Sequence, residues 1–222
     1  MARIELVEGD CRKILKQRAA EFDDAILVSD PPFNVGYHYR SYRDKLKQEE
    51  YDELLIEVFA QRAHVMIHYP ESLYRHAINI STPPTRVVSW VYNTNLPRQH
   101  RDIAFFGVTP DFRREGQDYK NPNDKRVKRY IEQGRKARLY DFWEINHVKN
   151  VSADKTEHPC QMPLEVMRRI IGILPPDRLI IDPFMGSGTT GVACAIMGRD
   201  FLGIEIDPAY VAISRERLAE YN

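Results

Sequence analysis

The chain has 222 residues, 43% of them hydrophobic, and its 32 basic and 32 acidic side chains leave no net charge. That length and composition give one domain with a real core, and neutrality by itself names no polyanionic partner. No apolar run is long enough to cross a bilayer, and MARIELVEGD lacks the apolar core of a signal peptide. Cys11, Cys160 and Cys194 are odd in number, far apart and without zinc spacing, so a reducing, cytoplasmic setting is expected and a disulfide scaffold is not.

IELVEGD (4–10) has the pattern of a short strand ending in an acidic turn, and CRKILKQRAA after it that of a helix. DAILVSD (24–30) is nearly all apolar before its end, as in a strand buried on both faces. EEYDELLIEVFAQRA (49–63) has helical spacing. HVMIHYP and TRVVSWVYN are expected strands with the helix SLYRHAINI between them, and DIAFFGVTP (102–110) is another strand. Alternating strands and helices imply an α/β fold with a mostly parallel sheet covered on both faces. His64 and His68 stand four apart, but on a strand and without a third ligand in view, so they are expected to be structural and no metal is expected.

The texture changes over residues 111–157, where apolar runs are few. Between Arg113 and Arg138 ten Lys/Arg face four acids, a net of +6, so the rest of the chain must carry −6. This asymmetry says more than the neutral total and marks an insert on the sheet domain. Regular structure resumes with PLEVMRRIIGILPP, a helix ended by two prolines, followed by the strand RLIIDPF, the helix TTGVACAIMG and the strand FLGIEID. The last helix, PAYVAISRERLAEY, has Asp207 as its expected N-cap and Pro208 in its first turn.

Two motifs carry chemistry. Gly186-Ser-Gly188-Thr-Thr-Gly191 follows a strand, opens a helix, and has Glu205 at the end of the next strand. Glycines let the backbone approach a ligand closely, and an acid so placed bonds ribose hydroxyls. The loop alone points to an adenosine-containing cofactor and leaves a nicotinamide dinucleotide and S-adenosylmethionine both open. No Lys follows the glycines, which disfavours a phosphate-cradling P-loop. In VSDPPF (28–33) a buried strand ends in Asp30, Pro31, Pro32 and Phe33. Proline fixes the backbone and removes N–H donors. The Asp30 carboxylate and the Pro31 carbonyl can then both accept hydrogen bonds from one planar amino group, with Phe33 stacked on the ring that carries it.

DPPF (30–33), DPFMGSGTTG (182–191), GIEIDPAYVAISRERL (203–218) and HPCQMPLEVMRRII (158–171) together resemble the amino-methyltransferases of DNA. Within them the chain is similar to the beta group, in which the catalytic motif precedes the cofactor loop. The resemblance implies a Rossmann-like fold that is circularly permuted: the chain starts at what would be the third strand and ends with the first and second. It implies a catalytic half over residues 1–110, a target-recognition insert over 111–157 and a cofactor half over 158–222. S-adenosylmethionine is the implied cofactor, contacted by Asp10, Cys11, Asp30, His158, Asp182, Phe184, Gly186, Ser187, Gly188, Thr189 and Glu205. Asp10, ending the strand beside the cofactor loop, would meet the adenine amino group, Glu205 the ribose hydroxyls, and His158 the methionine end.

The implied partner is double-stranded DNA, in a prokaryotic, viral or phage-type setting, and the oligomeric state, a homodimer included, stays open. Asp30, Pro31, Pro32 and Phe33 would act on a flipped-out base. Asp rather than Ser before Pro-Pro leans toward adenine N6, with cytosine N4 as the runner-up. A nicotinamide-dependent oxidoreductase is the rival from another class, but it offers no account of DPPF or of the basic insert. Cys160 follows a proline, as the nucleophile of cytosine-5 methyltransferases does, yet DPPF makes a thiol unnecessary. Phosphate contacts are expected from Arg40 and Arg43, in the aromatic and basic stretch YHYRSYRDKLK, and from Lys125, Arg126, Lys128 and Arg129 in the insert.

Overall fold

The computed structural model of the chain describes residues 2–148, 156–158 and 160–221. Its first part runs β1 (Ile4–Glu8), α1 (Cys11–Gln17), β2 (Ile26–Ser29), α2 (Gln48–Phe59), β3 (His64–His68) and α3 (Pro70–Asn79). The middle holds β4 (Arg86–Val91), β5 (His100–Phe106), β6 (Gly116–Gln117), α4 (Lys125–Glu132), β7 (Ala137–Arg138) and β8 (Phe142–Glu144). The last part is α5 (Leu164–Ile173), β9 (Ile180–Asp182), α6 (Thr189–Ile196), β10 (Phe201–Glu205) and α7 (Pro208–Ala219).

Eight strands form one sheet in the order β1-β10-β9-β2-β3-β5-β4-β8. The strands written last, β9 and β10, therefore sit between β1 and β2, as circular permutation requires. β1, β10, β9, β2 and β3 are parallel neighbours, while β5 is antiparallel to both β3 and β4. The short loop between Val91 and His100 explains the change of direction, since a parallel return needs a crossover of a dozen or more residues. Asp10 ends β1, which is an edge strand paired with β10. It lies one strand further from the glycine loop than expected.

Alternation along β2 sends Ile26 and Val28 to one face and Leu27 to the other, and every residue of the strand is buried. The first face packs on α5 and α6 through Val166, Ile170, Ala193 and Cys194. The second packs on α1, α2 and α3 through Leu15, Leu55, Phe59 and Leu73. The helix after β9 thus covers one face and the helix after β2 the other, so the chain reverses between these adjacent strands. Ligands of open α/β sheets bind at such a switch point, beyond the carboxyl ends of the strands.

Two features of the middle differ from the sequence expectation. β5 begins at His100, so Arg101 belongs to the strand. β8 joins the main sheet beside β4 with Trp143 fully buried. Its indole N–H donates to the Tyr140 carbonyl at 2.8 Å, and that of Trp90 to the Ile145 carbonyl at 2.7 Å, so both large rings are buried without losing a hydrogen bond. Residues between Asp111 and Arg138 form α4 and the small β6–β7 ribbon. They hang from the amino end of the sheet: the Asp111 N–H donates to the carbonyl of Ile173 at the end of α5, and the Glu115 side chain lies directly on Gly172.

Candidate active site at the switch point

A cavity of about 300 Å³ opens over the carboxyl ends of β2, β9 and β10. Asp30, Pro31, Pro32 and Phe33 line one side of it, and Phe184, Gly186, Ser187, Thr189 and Glu205 the other, with Asp182 and His158 between them. The two halves of the chain therefore meet in one cleft.

The glycine loop is shaped by its backbone. Gly186 has φ +53 and Gly188 φ +76, in the left-handed region that side chains rarely adopt. A Cβ on Gly186 would come within 2.9 Å of His158 Nε2, and one on Gly188 within 2.9 Å of Ser214. His158 is buried and its ring meets Tyr210 at 4.4 Å. The Glu205 carboxylate accepts the Gly186 N–H at 2.8 Å and the Asp207 N–H at 2.9 Å, which ties the end of β10 to the loop. Burial nonetheless holds Glu205 above the usual carboxylate range. Asp182 accepts from Ser29 Oγ at 2.8 Å, Thr190 Oγ1 at 2.6 Å and the Phe184 N–H at 3.1 Å. Burial outweighs those donors and pushes its carboxyl up to about 6.

Asp30 is in a different state. Its Oδ1 is buried and without a hydrogen-bond partner, and its Oδ2 faces the Arg101 guanidinium at 3.7 Å. Burial raises its carboxyl to about 6, with Arg101 pulling down and Asp182 pushing up. A buried acceptor left unpartnered, on a residue that lines the cleft, calls for a donor that the described residues do not supply. Phe33 beside it packs on His68 and Tyr69 and carries Arg101 at 4.4 Å from its ring centroid.

The segment after Phe33 folds over the cleft and is fastened from within. Buried Asp44 accepts the N–H groups of Asn34, Val35 and Tyr37 at 2.7, 3.1 and 2.9 Å. Ser41 Oγ donates to Asp207 at 2.8 Å, linking this segment to the start of α7. Tyr37, Tyr39 and Tyr42 line the cavity, while Arg40 and Arg43 lie on the outer side of the segment.

Not every expected residue is in the cleft. Asp10 caps α1 by accepting the Arg12 N–H and pairs with the Arg12 side chain at 2.9 Å; neither it nor Cys11 lines the cavity. Cys11 is buried in the second core, where desolvation pushes its thiol up to about 12. Gly188 shapes the loop without lining the cavity. Cys160 does line it, and burial holds its thiol in the neutral form. Lys125, Arg126, Lys128 and Arg129 lie on α4, between β6 and β7 of the ribbon that is tied to the end of α5 at the amino end of the sheet. Tyr39, within the aromatic and basic stretch, and Tyr210, within GIEIDPAYVAISRERL, also line the cleft, and so do Arg101 and Tyr69, which no local motif marks. His64 and His68 are buried on β3; Nε2 of His64 meets Nε2 of His76 at 3.1 Å, and His68 meets the Tyr51 hydroxyl at 2.8 Å. Among the described residues no group of three or more His, Cys, Asp or Glu could hold a metal ion, and no helix is long and apolar enough to cross a membrane.

Residues 88–216 match the family model of the N6/N4 DNA methylases. The chain belongs to that family. The methylase is 25% identical over 247 residues to the DNA adenine methyltransferase YhdJ of Escherichia coli (strain K12), covering 96% of this chain and 82% of YhdJ. It shares its fold with the M1.HpyAVI–SAM complex at a TM-score of 0.61 and 24% identity, covering 97% and 100% of the two chains. It shares it also with the cytosine-N4-specific PvuII DNA methyltransferase at a TM-score of 0.69 and 17% identity, covering 98% and 86%. A DNA amino-methyltransferase accounts for the cleft where a nicotinamide enzyme leaves Asp30-Pro-Pro-Phe without a role.

Proposed function

We propose that this methylase transfers a methyl group from S-adenosylmethionine to N6 of an adenine turned out of duplex DNA. The observation that carries the reading is Asp30: a buried carboxylate oxygen without a partner, at the end of β2, in a cleft shared with the glycine loop. The cofactor is supported by the glycine cradle, by Glu205 beside it, and by the S-adenosylmethionine in the M1.HpyAVI complex. Adenine is supported by Asp at position 30 and by the name of the YhdJ relative.

When bound, S-adenosylmethionine supplies a sulfonium methyl as the electrophile. Glu205 keeps acceptor capacity for a ribose hydroxyl beyond its backbone donors Gly186, Ile206 and Asp207, since an ionised carboxylate offers about four lone-pair sites. His158 and Tyr210 pack on each other beside the loop at Gly186 and line the cleft. An exocyclic amino group is a poor nucleophile because its lone pair is delocalised into the ring. Asp30 and the Pro31 carbonyl, each accepting one of its hydrogens, localise electron density on nitrogen and stabilise the charge that develops there. Phe33 supports the ring, and the tyrosines of the 34–46 segment close the cleft over it. Extrusion of the base costs a few kcal/mol, offset by these contacts. Arg40 and Arg43, beside the cleft, are placed to meet phosphates of the flanking duplex.

Incubation with methyl-labelled S-adenosylmethionine and unmodified DNA, followed by nucleoside mass spectrometry, is expected to yield N6-methyladenine. N4-methylcytosine would move the assignment to the other amino group, and no methylated nucleoside would overturn the reading. Asp30→Ala is expected to bind the cofactor normally by calorimetry and to lose transfer by several orders of magnitude, because the interaction it removes acts mainly in the transition state.

A further inference from the structure

β5 brings one cation to the carboxylate. Register pairs Arg101 with Trp90, on the same face as Ile103 and Phe105, so a guanidinium ends an otherwise apolar stripe. It sits among four rings, with its Cζ 4.4 Å from the centroid of Phe33, 5.6 Å from Trp90 and 5.9 Å from both Tyr69 and Tyr92. Its side chain is 17% exposed, its Nε has no hydrogen-bond partner, and Nη1 lies 4.0 Å from Met162 Sδ. Such a setting is a poor one for a cation's own solvation. Its one ion pair among the described residues is to Asp30.

We propose that Arg101 is a positioning residue for methyl transfer: caged by Phe33, Tyr69, Trp90 and Tyr92, it holds Asp30 ionised and oriented as the amino-group acceptor. The proposal rests on the reading of Asp30 given above. A protonated Asp30 would be a donor at one oxygen and could not meet an amino hydrogen there. In a dry cleft the neutral form is favoured unless a fixed cation opposes it. Arginine suits the task because it stays charged at any working pH and is more weakly hydrated than lysine. The aromatic faces compensate part of its desolvation through their quadrupoles.

Apart from Asp182, the groups facing this pair do not change charge in the same window. Tyr39, Tyr51 and Tyr92, from the 34–46 segment, α2 and the residue after β4, are held above their ordinary values by burial, as is the Cys160 thiol. His68 and His147, which face Arg101, are lowered to about 3 and about 4 by burial. Asp182 on β9 does titrate near Asp30, at about 6, and its signal must be told apart from that of Asp30.

The test compares wild type, Arg101→Gln and Arg101→Lys. Carboxyl NMR of aspartate-labelled protein without DNA, assigned with Asp30→Asn, follows Asp30 separately from Asp182. Arg101→Gln is expected to raise the Asp30 midpoint by about 1–3 units, the usual reach of a neighbouring arginine. Arg101→Lys is expected to return most of it. The acid limb of turnover should move by the same amount, so that Arg101→Gln loses between about twofold and about ninetyfold at pH 7, for shifts of about 1 and about 3 units from a starting value of about 6, and recovers in alkali. An unmoved midpoint in folded Arg101→Gln overturns the pairing. A moved midpoint with an unmoved acid limb overturns the positioning role. If wild type transfers no methyl group to DNA, the function above fails, while the NMR titration still decides whether Arg101 controls Asp30.

Discussion

Asp30 sets a carboxylate where folding alone would not put one. Its ordinary value is 3.8 and its folded value about 6, with burial as the largest cause. The folded state therefore binds a proton that the unfolded state has already released. Stability from this group is fully present below about pH 4 and is lost as pH rises through 6. At neutral pH the ionised side chain destabilises the fold by an amount on the order of 2–3 kcal/mol, trimmed by the 15% of its side chain that still meets solvent. Asp30→Asn is expected to melt higher than wild type at pH 7.5, to match it near pH 4, and to lose methyl transfer at both. Melting curves at the two pH values check this, and equal stability at pH 7.5 would show that the carboxylate is not strained by burial. Asp182 shifts in the same direction, yet Ser29, Thr190 and the Phe184 N–H all donate to it, so Asp182→Asn forfeits acceptors and no such gain is expected there.

Among the elements, the 34–46 segment turns on Asp44. Oδ1 accepts the Asn34 N–H and Oδ2 those of Val35 and Tyr37. Asp44→Asn leaves only one acceptor oxygen, so one side of this arrangement must open, at a cost of about 1–3 kcal/mol to the local closure. Hydrogen exchange at residues 34–37 is expected to rise and the KM for DNA to increase, with cofactor affinity nearly unchanged because the glycine loop keeps its own bonds. Unaltered exchange at those amides would locate the fastening elsewhere, in the bond from Ser41 to Asp207. Elements whose cause is local were legible in the chain itself. β2 shows as an apolar run, the glycine loop as a motif, and the α7 cap as Asp207, whose side chain accepts the Ala209 N–H at 2.9 Å. Other features depend on partners distant in sequence. β8 is three residues within a charged stretch and becomes a strand only because β4 offers it an edge. Arg101 reaches Asp30 only through the antiparallel pairing of β5 with β3 and β4. The role of Asp44 requires the segment to close back on Asn34, which no local pattern announces.

At the scale of the whole molecule, charge and chemistry are separated. β5 runs from Arg101 at the cleft to Phe106, which pairs with His64 at the amino end of β3. Five residues of strand place the two ends about 17 Å apart. The +6 stretch hangs beyond the far end, with α4 carrying Lys125, Arg126, Lys128 and Arg129. A duplex seated across the cleft would have to bend sharply around the sheet to reach them, which a persistence length of about 150 bp makes costly over a short site. On the proposed function, Arg40 and Arg43 are the residues expected to meet the phosphates nearest the target base. α4 is then free to hold a neighbouring stretch of a long DNA and to raise its local concentration. Replacing the four α4 cations by glutamine is expected to weaken binding to long duplex DNA and to flatten its dependence on salt, by about one unit of log–log slope for each phosphate no longer neutralised. Turnover on a duplex of about a dozen base pairs, too short and stiff to curve round the sheet to α4, is expected to stay the same. Replacing Arg40 and Arg43 should do the reverse, lowering turnover on the short duplex as much as on the long one. A matching fall on short DNA in the α4 variant would mean that the insert lies beside the target base, and that the distance across the sheet does not separate the two surfaces.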